Sequence, residues 1–151
     1  MNIIANNNPW QQFEMLPVEQ GLAAARHQIL KQVLNNLDQV LNTRKVPMTA
    51  ANDHEIHSQL LDYGIADLSQ FNPESVQQRQ QLCQTLQQCI THYEPRLKQL
   101  FVECISHKTP PFLDLYFQIT GVLTVPEPPS AIQIVSIFHA LGQYFTVEAQ
   151  S

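Results

Sequence analysis

The stretch Tyr93-Glu94-Pro95-Arg96-Leu97 separates two kinds of hydrophobic pattern. Before it, Val76, Leu82, Cys83, Leu86, Cys89, Ile90 and Tyr93 recur largely at three- and four-residue steps. That spacing makes one apolar stripe along a helix. After it, Leu100, Val102 and Cys104 alternate with Phe101, Glu103 and Ile105, which is the period of a strand. Pro95 enforces the change: it has no N–H to continue a helix, and its ring pushes Glu94 toward an extended backbone.

Reading outward from this corner, the helix before it is expected to span Pro73 to His92. Asn72 is the candidate N-cap, Pro73 suits the first position, and Glu74 favours the positive end. Glutamines 77, 78, 80, 81, 84, 87 and 88 fall mostly opposite the apolar stripe, as on a solvated or partner-facing surface. An earlier helix from Glu19 carries Leu22, Ile29, Leu30, Val33, Leu34, Leu37, Val40 and Leu41 on one side. Asn42 and Thr43 compete for backbone hydrogen bonds and should end it. A short helix is expected over His54 to Leu61, capped by Asp53 and stopped by Gly64. Residues 1–18 read as an arm. Asn6-Asn7-Asn8-Pro9 and Pro17 interrupt it, while Trp10, Phe13, Met15 and Leu16 give it surface to fold back or to order against a neighbour.

Beyond the first strand, Leu113, Leu115, Phe117 and Ile119 mark a second, with a bend or end at Gly121. Pro126-Glu127-Pro128-Pro129 turns the chain into a third strand, Ile132 to Phe138. Leu141-Gly142 reads as a hairpin turn and Tyr144 to Glu148 as the last strand. The expected fold is α+β, with N-terminal helices packed on one face of a small, mainly antiparallel sheet formed by the C-terminal half. Residues 19–151 make this domain, behind the arm.

With 151 residues, the chain has the length of one ordinary domain that needs no staple. The formal charge of −5 argues against a nucleic-acid surface, which requires clustered Lys and Arg. No run approaches the roughly 20 apolar residues of a membrane span. The asparagine-rich start lacks the basic and apolar regions of a secretory signal, so a cytoplasmic protein is expected. Cys83, Cys89 and Cys104 read as reduced thiols.

Glu94 and Arg96 lie two apart in an extended segment and can leave the chain on the same side. Arg44, near the end of the first long helix, is a second candidate for the same corner. A guanidinium fork matches a carboxylate. A structural Arg–Glu knot, Glu94 with Arg44 or Arg96, is therefore expected, set against the ordinary reading of three exposed charges. A glycosidase site needs paired carboxylates about 5–9.5 Å apart across a cleft. Asp62, Asp67 and Asp114 offer no such wall, and an acid beside an arginine points to a lowered pKa. The pairs Cys89-x-x-His92 and Cys104-x-x-His107 have a zinc-like spacing, but they sit on a helix and at a strand end. No catalytic residue, metal site or cofactor is assigned. Nor does a Gly-rich phosphate loop or other sign of a small-molecule substrate appear.

Three marks occur in order: Leu41-Asn42-Thr43-Arg44, Tyr63-Gly64-Ile65-Ala66-Asp67-Leu68, and Glu94-Pro95-Arg96-Leu97. Together, over roughly Glu19 to Ala149, they resemble the baseplate-wedge family, which includes the TssE subunits of type VI secretion systems and wedge proteins of contractile phage tails. That family has carried a "lysozyme-like" label. It commonly has proline where this chain has Ala66. The resemblance implies a structural protein rather than an enzyme, with Arg44, Tyr63, Gly64, Asp67, Glu94, Pro95, Arg96 and Leu97 as its structural motif. It implies partners of the TssF, TssG and TssK kinds, and assembly at the inner face of the cytoplasmic membrane without insertion into it. It further implies nucleation of a TssB–TssC sheath by strand addition. For that role the C-terminal hairpin is favoured, with Ile134, Ser136 and Phe145 as the expected edge residues. A peptidoglycan hydrolase and an unrelated cytoplasmic adaptor are the rival readings.

Overall fold

The computed structural model describes residues 18–45, 63–105 and 114–150. Its elements are α1 (Val18–Asn42), α2 (Val76–Tyr93), β1 (Leu97–Ile105), β2 (Leu115–Leu123), β3 (Ser130–His139) and β4 (Tyr144–Ala149). The expected helix at His54 to Leu61 and residues 1–17 of the arm lie outside the described residues.

The four strands form an antiparallel meander in the order β1-β2-β3-β4. Side chains alternate across it, as a period of two requires. Phe117, Ile119 and Leu123 of β2, Ile134, Ser136 and Phe138 of β3, and Phe145 of β4 are buried. Both helices pack on the sheet, α1 against β4 and α2 against β1. Val33, Leu37, Val40 and Leu41 from α1 meet Leu82, Leu86, Cys89 and Ile90 from α2 in one core. The fold is thus α+β, with two helices among the described residues and a four-stranded antiparallel sheet in the C-terminal half.

Several boundaries differ from the expectation, each for a local reason. α1 begins one residue early, at Val18. α2 starts at Val76 rather than Pro73, because Ser75 is the cap: its hydroxyl accepts from the Gln78 N–H. Asn72 is spent one turn earlier, its Oδ1 accepting from the Glu74 N–H at 3.0 Å and its carbonyl from the Ser75 N–H at 3.1 Å. Val76 is consequently exposed and drops out of the stripe.

Gly121 neither bends nor ends β2, which continues to Leu123. It sits instead opposite a β-bulge in β1 between Lys98 and Phe101, where Gln99 has a φ of 52°. A Cβ at Gly121 would lie 3.1 Å from the Lys98 carbonyl oxygen and 3.2 Å from Leu100 Cδ2, so the glycine admits the bulge. The β3–β4 turn covers Ala140 to Gln143, and its left-handed residue is Gln143, with φ 56°, rather than Gly142. On the sheet face away from the helices, His139 braces two neighbours. Its Nδ1 lies 3.0 Å from Asp114 Oδ2 and its Nε2 3.2 Å from Thr146 Oγ1.

Ser136 is fully buried, and its hydroxyl has no hydrogen-bond partner among the described residues. An orphaned buried hydroxyl costs on the order of 1–3 kcal/mol. Ser136→Ala should therefore stabilise the fold, by about 1 kcal/mol after the small loss of packing volume, as read by chemical denaturation.

Candidate functional site

At the helix-to-sheet corner, Pro95 stops α2 and Glu94 becomes its C-cap, with its N–H donating to the Ile90 carbonyl at 2.8 Å. The Glu94 side chain is only 1% exposed. Arg96 grips it with a fork, Nε to Oε1 at 2.6 Å and Nη2 to Oε2 at 2.7 Å. Asn36 of α1 donates to Oε2 at 3.1 Å, and Arg96 Nη1 reaches Gln32 of α1 at 3.2 Å. The Arg96 carbonyl in turn accepts from both the N–H and the hydroxyl of Thr124, just past β2. The buried carboxylate thus ties α1 to the corner between α2 and β1, and the Arg96 main chain ties that corner to the end of β2.

Burial alone would raise the Glu94 pKa, but the hydrogen bonds from Arg96 and Asn36 and the Arg96 charge outweigh it, so the carboxyl is held below its ordinary value. The same bond to Glu94 raises the pKa of Arg96. A carboxylate with both oxygens bound and its proton affinity lowered is the reverse of a glycosidase acid.

Arg44 does not join that knot. Its Nη1 donates to the Leu41 carbonyl at 2.8 Å and its Nη2 to the Gln143 carbonyl at 2.6 Å, in the β3–β4 turn. Partial burial lowers its pKa, which the charge of Asp67 partly offsets. Asp67 accepts from the Ser69 hydroxyl at 2.7 Å and the Ser69 N–H at 3.1 Å, and these bonds lower its pKa ahead of the influence of Arg44.

The first two marks meet through main chain. Ile65 N–H donates to the Thr43 carbonyl at 3.0 Å, and Lys45 N–H to the Ile65 carbonyl at 2.8 Å, a one-residue parallel bridge. Gly64, at φ 100°, lets this bridge close. Tyr63 meets Tyr93 edge-on, with ring centroids 4.9 Å apart. Ala66, where the family commonly has proline, is exposed. Leu97 is buried and Pro95 exposed.

Two of the three expected edge residues are corrected by the sheet order. Ile134 and Ser136 belong to β3, which is paired on both sides and has no free edge. Phe145 does lie on an edge strand, but its side chain is 1% exposed and its backbone is occupied. Phe145 N–H donates to Asn42 Oδ1 at 2.7 Å, and Asn42 Nδ2 donates to the Phe145 carbonyl at 3.0 Å. The peptide groups of Phe145 therefore point away from β3. By the alternation of an antiparallel strand, Val147 and Ala149 point the same way. Neither has a partner there among the described residues.

Asn36 and Gln32 are absent from the expected site residues, and Asn42 is expected only to end the helix and as part of the first mark. A faint signal existed: Gln32 and Asn36 sit four apart beside the buried Val33 and Leu37, and Asn42 directly follows the buried Leu41. Cys89 is buried against the Gly64 carbonyl, and His92 packs edge-on against Tyr93. Burial raises the thiol pKa of Cys83 to about 11 and also raises that of Cys104. Among the described residues, no three His, Cys, Asp or Glu side chains cluster as a metal site would require.

With this geometry in hand, comparison with known proteins decides the family. The family model for baseplate wedge protein gp25 matches residues 27–126, from the first apolar turns of α1 to the proline-rich loop. The chain belongs to the baseplate wedge gp25 family. It is a structural component of a baseplate, and its partners are other baseplate components. A chain of the solved structure "The baseplate complex from the type VI secretion system" shares the fold of this wedge protein. The two are 20% identical with a TM-score of 0.53, over 74% of this chain and 94% of that one. A search of curated proteins gave no significant match. No described helix is long and apolar enough to cross a membrane.

Proposed function

We propose that this wedge protein serves a contractile injection machine of the type VI secretion kind as its TssE-like subunit. Neighbouring wedge subunits of the TssF, TssG and TssK kinds hold it in a baseplate at the inner face of the cytoplasmic membrane. It starts the TssB–TssC sheath by lending a sheet edge. Catalysis has no part in this role; a rigid core presents an edge in fixed relation to a helix surface.

The observation that carries the reading is the contrast between the two sheet borders. The β1 border is interrupted by a bulge and bears the exposed charges Lys98 and Glu103, features that discourage pairing. The β4 border is regular and leaves the peptide groups of Val147 and Ala149 open among the described residues. An open, regular edge is the element that strand addition uses.

The test is co-purification of the tagged protein from its native cells, followed by mass spectrometry. Wedge and sheath subunits should be recovered together. Recovery of neither, with turnover of peptidoglycan by the purified protein, would support the hydrolase reading instead.

A further inference from the structure

Resting on the strand-addition reading, we propose that Asn42 sets the register of the added strand: it fills the peptide groups of Phe145, so that a donor strand pairs only with Val147 and Ala149. A primary amide carries the same donor and acceptor as a peptide. The two bonds between Asn42 and Phe145, at 2.7 and 3.0 Å, are the pair that a residue in a neighbouring antiparallel strand exchanges with its partner. Asn42 stands where that strand's residue would stand, as a mock strand one residue long.

The amide is well held. It projects from the last residue of α1, next to the buried Leu41, and its Nδ2 also donates to the Asp38 carbonyl at 2.9 Å and to Asp38 Oδ1 at 3.2 Å. Two residues earlier in the hairpin, Arg44 fills the Gln143 carbonyl. The N-terminal part of the β4 border is thereby sealed at Gln143 and at Phe145 by one short segment of chain, Asn42 to Arg44. Pairing at Phe145 would require a partner to evict the amide. Outward groups recur every second residue, so the next open positions are Val147 and Ala149. Register matters physically because a slip of one residue turns every side chain of the added strand to the wrong face.

The test uses amide hydrogen exchange on the full chain, free and with purified sheath subunits of the TssB–TssC kind. In the free protein, Phe145 should exchange slowly, and Val147 and Ala149 fast. In Asn42→Ala, Phe145 exchange should rise about tenfold, while Tyr144 and Thr146, which face β3, stay protected and report that the hairpin is intact. Should Asn42→Ala unfold, Asn42→Leu serves, since it keeps the side-chain volume and removes both the acceptor for the Phe145 N–H and the donor to its carbonyl.

On adding sheath subunits, the wild type should gain protection at Val147 and Ala149 alone, and the variant at Phe145 as well. Fast exchange of Phe145 in the free wild type overturns the inference. So does a wild-type complex in which the Asn42 amide is released and Phe145 pairs with the sheath. If the subunits bind but protect none of the three positions, strand addition at this edge fails and the register role with it. Failure to bind the sheath at all refutes the functional reading as well, even if slow exchange at Phe145 still shows the amide seal in the free chain.

Discussion

Glu94→Ala should lower the melting temperature by roughly 6–12 °C. Removing one partner from a buried ion pair costs about 3–5 kcal/mol. The lower figure applies here, because Arg96 is 26% exposed and can turn to water once released. In a domain of this size, each kcal/mol moves the midpoint by about 2–4 °C. The Asn36 amide loses its acceptor at the same time, and α1 loses a tie to the sheet corner. Glu127→Ala, at an exposed position in the β2–β3 loop, is the control and should change stability by no more than about 0.5 kcal/mol. Equal shifts for the two variants would show that the corner does not depend on this carboxylate.

The same pair fixes an acid dependence. The folded protein holds the Glu94 pKa below its ordinary 4.5. The unfolded chain therefore binds the extra proton first as pH falls, and stability drops as pH falls below about 4.5 toward the folded pKa. Above that value the contribution is complete. Glu94→Gln should flatten this part of the profile, measured as denaturation midpoint against pH.

Gly64→Ala is the second large effect, expected to cost roughly 3 kcal/mol. The residue holds φ 100°, where an L side chain is strained by about 1–3 kcal/mol. A Cβ would also strike the Thr43 carbonyl, its carbon 2.8 Å away, and that group is main chain with no rotamer to change. The carbonyl accepts the Ile65 N–H, so relieving the clash breaks part of the bridge between the first two marks, at about 1 kcal/mol per bond. Faster exchange at the Ile65 and Lys45 amides, with β2 and β3 still protected, would locate the damage there. An unchanged melting curve would mean that the bridge can shift at little cost.

The helices, the strands and the corner were legible because each obeys a local rule. Pro95 cannot continue a helix, and the change of period around it follows from the backbone itself. Asn72 reads as the cap because Pro73 behind it suits a first helical position; Ser75 is an equally good capping residue type, and only the fold shows which N–H groups each one meets. Gly121 reads as a bend or end because the bulge that its missing Cβ accommodates lies in another strand. Ile134 and Ser136 are expected on an edge because the resemblance points to the C-terminal hairpin as a whole, whereas edge status depends on the order of all four strands. Arg44 and Arg96 were equal candidates for Glu94 on charge alone. Their distances in three dimensions divided them: one guanidinium holds the carboxylate, and the other holds a turn 99 residues away.

The seating of α1 against β4 has a consequence for biosynthesis. The apolar stripe of the first described helix is covered in part by β4, the last described strand in chain order. While a ribosome is still making the sheet, α1 lacks that cover, so the core it shares with β4 stays open until the hairpin is complete. A nascent chain stalled before Tyr144 should therefore remain sensitive to protease and be a natural client for chaperones, although most of its sheet has already been made.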